Sequence, residues 1–213
     1  RPIVSNEGKF LHSIGIDGEP AIITVFEHAP GKQVERQFAD EVIFESLGEL
    51  TGRMHSVTWE FSKAVDFIDR PSWMESRLLN EDFEALRQTL SDLFLESVEE
   101  IVGRISKATK KPETFGIVHG DINFGNIFEY EKGLWIFDFD NCENGCFVQE
   151  LATILWDSIY CKELRKFADG GLNDRIKPLW EALLKGYAKA TPLEEIDLAL
   201  LKDCFLLREA IIY

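Results

Sequence analysis

The stretch Ile117-Val-His-Gly-Asp121-Ile-Asn-Phe-Gly-Asn126, followed by Ile136-Phe-Asp138-Phe-Asp140, decides how this chain folds. The first stretch opens with a short apolar run, which predicts a strand that enters a loop. Residues 126–130 and 134–139 are rich in strand formers and flank Glu-Lys-Gly, so they predict a β-hairpin. Such a hairpin brings its two ends together, with the loop just before it.

Three side chains therefore meet beside this loop: Asp121, Asn126 and Asp138. Phosphoryl transfer needs a carboxylate that takes the proton of the attacking hydroxyl, and oxygen ligands that hold Mg²⁺ against the phosphates. The spacing from Asp121 to Asn126 is that of a kinase catalytic loop, and Asp138 follows at the end of the next hairpin. We predict Asp121 as catalytic base and Asn126 and Asp138 as metal ligands. Loop-capping Asp and Asn residues are the alternative, but spacing and strand context favour the kinase interpretation.

The motif His-Gly-Asp-x-x-x-x-Asn, followed by an Ile-x-Asp-Phe-Asp strand, resembles the aminoglycoside phosphotransferase and choline kinase superfamily, relatives of protein kinases. The His-Gly-Asp form, in place of His-Arg-Asp, points to the branch that acts on small molecules. The resemblance implies ATP and Mg²⁺ as cofactors, and transfer of the γ-phosphoryl group to a hydroxyl of a small-molecule acceptor. His119 is expected to support the loop structurally.

The likeness extends over about residues 20–165. Residues 23–31 resemble the strand, hinge and Pro-Gly turn that join the two lobes in this family, which implies that backbone groups of Glu27 and His28 bind adenine. Residues 47–55 resemble the following helix, which ends at a Met-His pair. Glu150 stands where the family often has Asp, and its role stays open.

The expected fold class is α+β and protein-kinase-like, with a truncated β-containing N-lobe and a mostly helical C-lobe. Residues 1–30 are interpreted as the remnant of the N-terminal lobe and hinge, and residues 31–213 as the helical lobe. Apolar periodicity predicts a buried strand at 21–27, an amphipathic helix from Glu35 onward, and another at 81–108. A loop or short helix on the surface is expected at 61–79, and further helices at 147–159, 176–190 and 193–213.

The sequence contains no glycine-rich phosphate loop and no strand lysine paired with a helix glutamate. By the family pattern these parts lie upstream of Arg1, so the chain is expected to be a fragment. Whether the fragment catalyses the reaction without the phosphate loop and the lysine is left open.

The net charge of −15, from 38 acidic and 23 basic residues, argues against a general nucleic-acid binder and favours a cationic acceptor. No apolar run suits a membrane span and no signal peptide opens the chain, so a cytoplasmic location is expected. The four cysteines, Cys142, Cys146, Cys161 and Cys204, are expected to be reduced thiols.

Several alternatives stay open at this point. The acceptor is an aminoglycoside, choline, homoserine, another amino alcohol, a sugar or a protein hydroxyl. A weak or inactive nucleotide-binding protein of kinase fold and a metal-dependent phosphohydrolase are the rival functions. Asp140 either holds a second metal or bonds the loop, and Asp157, Glu163 and Glu209 are left out of the site because solvated helix faces explain them equally well.

Overall fold

The protein is described by a computed structural model that covers residues 1–35, 39–62, 70–75, 89–107, 111, 113–131, 133–160, 172–193 and 198–212. Seven strands and five helices lie in these ranges: β1 His12–Ile16, β2 Glu19–Ile23, β3 Lys32–Gln33, α1 Glu41–Ser62, α2 Asp92–Ser106, β4 Phe115–Val118, β5 Ile127–Tyr130, β6 Gly133–Ile136, β7 Glu143–Cys146, α3 Phe147–Tyr160, α4 Leu172–Tyr187 and α5 Leu201–Ile212. The α+β class is confirmed.

The site region is framed by two small sheets. Strands β4 and β7 pair antiparallel, and β3, β5 and β6 form a three-stranded sheet in that order. The predicted hairpin is confirmed as β5 and β6, with Ile127 opposite Ile136. Strand β3 ties the residues after the hinge to this hairpin, since Lys32 pairs with Glu129. The loop between β4 and β5 is therefore held between both sheets.

Helices α1 and α4 approach each other closely because glycines face the contact. A Cβ on Gly48 would lie 1.9 Å from the Leu183 carbonyl oxygen, and one on Gly186 would lie 1.8 Å from the Glu45 carbonyl oxygen. Backbone therefore packs directly on backbone along this helix pair. At its edge, Lys185 Nζ lies 2.7 Å from Glu45 Oε2.

The first helix confirms the predicted periodicity but not the predicted bounds. It begins at Glu41 because Asp40 caps it, accepting the N–H groups of Val42 and Ile43 at 3.0 Å each. The helix runs past His55 to Ser62, so the expected end at the Met-His pair is wrong. Nothing in the sequence at that pair breaks a helix.

The second predicted helix is confirmed over α2, which Ser91 caps through its side chain and the Phe94 N–H. Its earlier part, from 81 to 88, falls outside the described residues. Val98, Ile101 and Ile105 face the core, but Leu93 is 74% exposed in the first turn and does not share their face.

The strand expected at 21–27 is only partly right. Strand β2 covers Glu19–Ile23 and pairs with β1, and its residues are mostly exposed; Ile22 is 74% exposed. High strand propensity predicts an extended backbone but does not determine which face is covered. The prediction of burial is therefore wrong.

In the stretch 61–79, where a loop or short helix on the surface is expected, a short 3₁₀ helix covers Trp73–Glu75, but the surface placement is wrong for Trp73, which is 2% exposed. Residues 63–69 and 76–79 of that stretch lie outside the described residues. The later helices are present as α3, α4 and α5, but α4 covers Leu172–Tyr187 rather than 176–190, and α5 begins at Leu201 rather than at 193. Across the described ranges, none of the helices has the length and apolarity to cross a bilayer.

Candidate active site

The loop between β4 and β5 turns sharply at Gly120. This residue has φ +82°, and a Cβ there would lie 2.4 Å from the Asn141 carbonyl oxygen. Only glycine satisfies both the backbone conformation and the close approach. Gly120 itself lines a cavity, and Asp121 is the next residue after the turn.

The Asp121 carboxylate is held on both oxygens. Asn123 Nδ2 donates to Oδ2 at 2.9 Å, and Asn126 Nδ2 reaches the same oxygen at 3.4 Å. Arg208 Nη2 donates to Oδ1 in an ion pair. A carboxylate oxygen accepts two hydrogen bonds, so Oδ1 retains a lone pair for a hydroxyl.

Asn126 bridges the loop and the hairpin. Its Nδ2 donates to the Asp121 carbonyl oxygen at 3.1 Å, and its own carbonyl accepts the Phe137 N–H at 3.3 Å. The structure thus brings Asn126 to the start of β5 and Asp138 to the residue pair just beyond β6, as the sequence predicts. Because Nδ2 of Asn126 is directed at Asp121, the amide oxygen of Asn126 is left to bind a metal.

Asp138 occupies a strained backbone position with φ +69°. Desolvation raises the pKa of its carboxyl, and the nearby Asp140 raises it further. A carboxylate whose charge is disfavoured in this way is stabilised by a cation. Oxygen donors of this kind suit Mg²⁺, which takes one or two carboxylates and completes its shell with water and phosphate.

The donor set of Asn126 and Asp138 therefore fits the expected metal. In the part of the chain that the structure describes, no group of three or more His, Cys, Asp or Glu side chains is arranged to hold an ion.

His119 is a structural support of the loop. It is 1% exposed, and Nε2 donates to the Phe137 carbonyl oxygen at 3.1 Å. Nδ1 accepts the Asp121 N–H at 3.2 Å. Both ring nitrogens are committed to backbone groups, which agrees with the structural role expected from the sequence.

Glu150, whose role the sequence left open, anchors the loop from α3. Its side chain is fully buried and accepts the N–H groups of His119 and Gly120 at 2.9 Å, one on each oxygen. Burial raises the pKa of Glu150, and the two N–H donors counteract this because they bind the ionised form. Glu150 thus fixes the turn that presents Asp121.

Asp157 performs a similar task two helical turns later. Its Oδ2 accepts the Phe124 N–H at 3.0 Å from a buried position. Sequence reasoning left Asp157 out of the site, although its spacing from Glu150 places both carboxylates on one apolar helix face. That spacing is the signal that would have found it.

A cavity of about 420 Å³ is lined by Gly120, which precedes Asp121, and by Arg208, which pairs with it. Its lining carries Asp140, Glu143, Glu150 and the guanidinium of Arg208 from α5. Burial raises the pKa of Glu143 to about 7, while the charge of Arg208 opposes the shift. Sequence reasoning missed Arg208 because no local motif surrounds it.

The predicted adenine-binding residues, Glu27 and His28, are not among the residues that line this cavity. The Glu27 N–H donates to the Arg1 carbonyl oxygen at 2.8 Å. The His28 ring meets the edge of Phe128 on β5, with 6.3 Å between ring centroids. The prediction of adenine binding therefore rests on the Glu27 carbonyl and the His28 backbone.

Comparison with known proteins places this geometry in context. The model of the phosphotransferase enzyme family (APH) matches residues 11–185. The amicoumacin kinase of Bacillus subtilis is 24% identical over 218 residues, which cover 100% of this chain and 62% of that protein. An uncharacterized protein of Deinococcus radiodurans is 24% identical over 210 residues, covering 94% of this chain and 56% of that protein. The chain thus spans less than two thirds of the length of these relatives.

Solved structures agree with the fold. Amicoumacin kinase hAmiN, in complex with AMP-PNP, Ca²⁺ and Ami, superposes with a TM-score of 0.82 at 25% identity, covering 100% of this chain and 63% of that chain. A microcompartment-associated aminopropanol kinase gives a TM-score of 0.64 at 16% identity, with coverage of 99% and 65%. Choline kinase LicA of Streptococcus pneumoniae gives 0.56 at 13%, with coverage of 95% and 63%. The protein-kinase-like fold is confirmed.

Proposed function

We propose that this chain, which belongs to the phosphotransferase enzyme family, carries the catalytic part of a kinase that phosphorylates a hydroxyl of a small molecule with ATP. One observation supports this most directly. The Asp121 carboxylate is oriented by Asn123 and Asn126 and paired with Arg208, and Arg208 and the neighbouring Gly120 line a cavity. A carboxylate fixed in this way suits a base that receives one proton from a bound alcohol.

Each predicted residue then has a role. Asp121 accepts the proton, Asn126 and Asp138 hold Mg²⁺, and backbone groups of Glu27 and His28 bind the adenine of ATP. Bound Mg²⁺ supplies charge neutralisation on the transferred phosphoryl group. Residues 1–30 belong to the nucleotide-binding lobe in this proposal, and residues 31–213 to the catalytic lobe.

The reaction is a single displacement. The hydroxyl oxygen of the acceptor forms a bond to the γ-phosphorus, and its proton passes to Asp121. The bond from the γ-phosphorus to the β,γ-bridging oxygen breaks, and the electron pair leaves with ADP. Asp121 works chiefly by placing the hydroxyl, because the transition state needs little covalent help from the protein.

The cavity beside Asp121 is the proposed acceptor site, and its charge favours a cationic acceptor. Asp140 and Glu143 line it together with the buried Glu150, against the guanidinium of Arg208. Its volume of about 420 Å³ suits a small organic molecule. Since hAmiN is a structural relative in complex with Ami, amicoumacin is the first acceptor to test.

A cytoplasmic location, where ATP is available, goes with this proposal, and neither nucleic acid nor membrane is proposed as a partner.

The test is release of ADP by the full-length protein, measured with and without Mg²⁺ over amicoumacin, amino alcohols, choline, aminoglycosides and sugars. The Asp121→Asn variant keeps the size of the side chain but loses the base, so we expect its acceptor-dependent rate to fall roughly 10²- to 10⁴-fold. Glu129→Gln, which removes the same charge from an exposed position of β5, controls for a general effect of altered charge.

Acceptor-dependent ADP release that is lost in Asp121→Asn supports the kinase. Phosphate release without any acceptor would instead identify a phosphohydrolase. Binding of Mg-ATP with no turnover on the whole panel would contradict the proposal and favour an inactive nucleotide-binding protein.

A further inference from the structure

Arg208 lies close to the proposed base but far from it in sequence. It is carried by α5, and 87 residues separate it from Asp121. Among the described residues that line the cavity, it is the one with a positive charge. The segment from Asp121 to Asn126 itself contains no lysine or arginine.

The guanidinium holds two consecutive residues of the loop. Nη2 donates to Asp121 Oδ1, and Nη1 reaches the Gly120 carbonyl oxygen at 3.4 Å. Because Asn123 and Asn126 hold Oδ2, the carboxylate is restrained from both sides. Loss of Arg208 would leave the carboxylate held at Oδ2 alone, with more freedom about its terminal torsion, which is broad in aspartate.

The position of Arg208 is itself fixed by packing. Its side chain is 13% exposed, and the guanidinium carbon lies 5.7 Å from the ring centroid of Trp156 on α3. The Trp156 indole N–H donates to Glu209, the next residue of α5. Arg208 Nε is buried without a hydrogen-bond partner, a cost that the ion pair and the aromatic contact must offset.

From this geometry we infer that Arg208 is a positioning residue of the phosphotransfer site: it fixes the Asp121 carboxylate toward the acceptor hydroxyl and keeps a positive charge beside the reacting groups. The inference rests on the proposed function. Positive charge held near a transferring phosphoryl group stabilises its transition state. In this chain α5, rather than the catalytic loop, supplies that charge.

The experiment compares Arg208→Ala and Arg208→Lys with wild type in the same ADP-release assay, with KM for acceptor and for ATP measured separately. We expect kcat to fall roughly 100-fold in Arg208→Ala and about 10-fold in Arg208→Lys, with each KM changed less than about 3-fold. Millimolar guanidinium chloride should restore kcat of Arg208→Ala by about 10-fold or more, while leaving wild type unchanged.

Arg104→Met is the matched control. Arg104 lies on α2 and forms an ion pair with Asp203 of α5, the helix that also carries Arg208. The pair has two hydrogen bonds of 2.9 Å each and lies on the exposed surface. Its loss should leave kcat within about 2-fold of wild type. A larger fall in kcat of Arg104→Met would mean that any loosening of α5 lowers the rate. That result would overturn a specific role for Arg208.

A double-mutant cycle separates positioning from folding. Because positioning of the carboxylate acts only through Asp121, Arg208→Ala on the Asp121→Asn background should lower the residual rate by much less than the roughly 100-fold expected on the wild-type background. Full additivity, a loss confined to acceptor KM, unchanged or raised kcat, or absence of guanidinium rescue would each overturn the inference. An inactive wild type would instead overturn the proposed function, so the two failures are distinguishable.

Discussion

At the scale of single residues, the loop that carries Asp121 is held mainly by carboxylates that do not take part in the proposed chemistry. Glu150 accepts two of its N–H groups and Asp157 a third, all from the face of one helix. The kinase motif predicted Asp121, Asn126 and Asp138 because their relation is local in sequence. Arg208 could not be predicted in this way, since its role depends on how α5 docks.

Glu143 makes the stability of the protein depend on pH. Burial raises its pKa to about 7, against an unfolded value of about 4.3, so the folded state binds more protons between these values. The free energy of unfolding should therefore fall as pH rises from about 5 to about 8. The side chain faces the cavity and is partly screened by solvent, so we expect a change on the order of 1–3 kcal/mol.

Glu143→Gln tests this dependence, because glutamine has nearly the same shape and no proton to lose. Urea denaturation of both proteins at pH 5, 6, 7 and 8 should show that the variant gains stability relative to wild type as pH increases. Parallel pH profiles would show that Glu143 titrates normally.

At the scale of elements, the contact of α1 with α4 depends on glycine. A methyl group on Gly48 would meet the Leu183 carbonyl at 1.9 Å, so Gly48→Ala should force the helices apart and destabilise the fold by about 1–3 kcal/mol or more. Gly103 in α2 has open space at its Cβ position, so Gly103→Ala should instead stabilise by about 0.5–1 kcal/mol. Thermal denaturation of both variants checks the opposite signs, and equal signs would refute the close approach.

The same scale shows why some elements were predicted and others misjudged. Apolar periodicity found α1 and α2, and the Glu-Lys-Gly turn found the β5–β6 hairpin. The observed helix starts are set by N-caps: Asp40 caps α1, which begins at Glu41, and Ser91 caps α2, which begins at Asp92. Apolar periodicity alone does not reveal these caps. Strand propensity in residues 21–27 could not reveal exposure, because burial depends on what packs against the β1–β2 hairpin.

At the scale of the whole molecule, the net charge of −15 should attract cationic acceptors over distance. If the acceptor is cationic, raising the salt concentration from about 50 to about 500 mM should increase its KM several-fold, because the screening length shortens. A neutral hydroxyl analogue of the same acceptor should show almost no change. Steady-state kinetics at both salt concentrations checks this, and equal salt dependence for the two acceptors would contradict it.

The distance along the chain between Asp121 and Arg208 also sets an order of events during synthesis. The ribosome makes the loop first and adds Arg208 only 87 residues later, an interval of roughly 4–17 s at ~5–20 residues per second. Until α5 emerges and docks, Asp121 lacks its cationic partner. On the proposed roles, a nascent chain that already contains Asp121, Asn126 and Asp138 still lacks the contact that fixes the base, and docking of α5 supplies it.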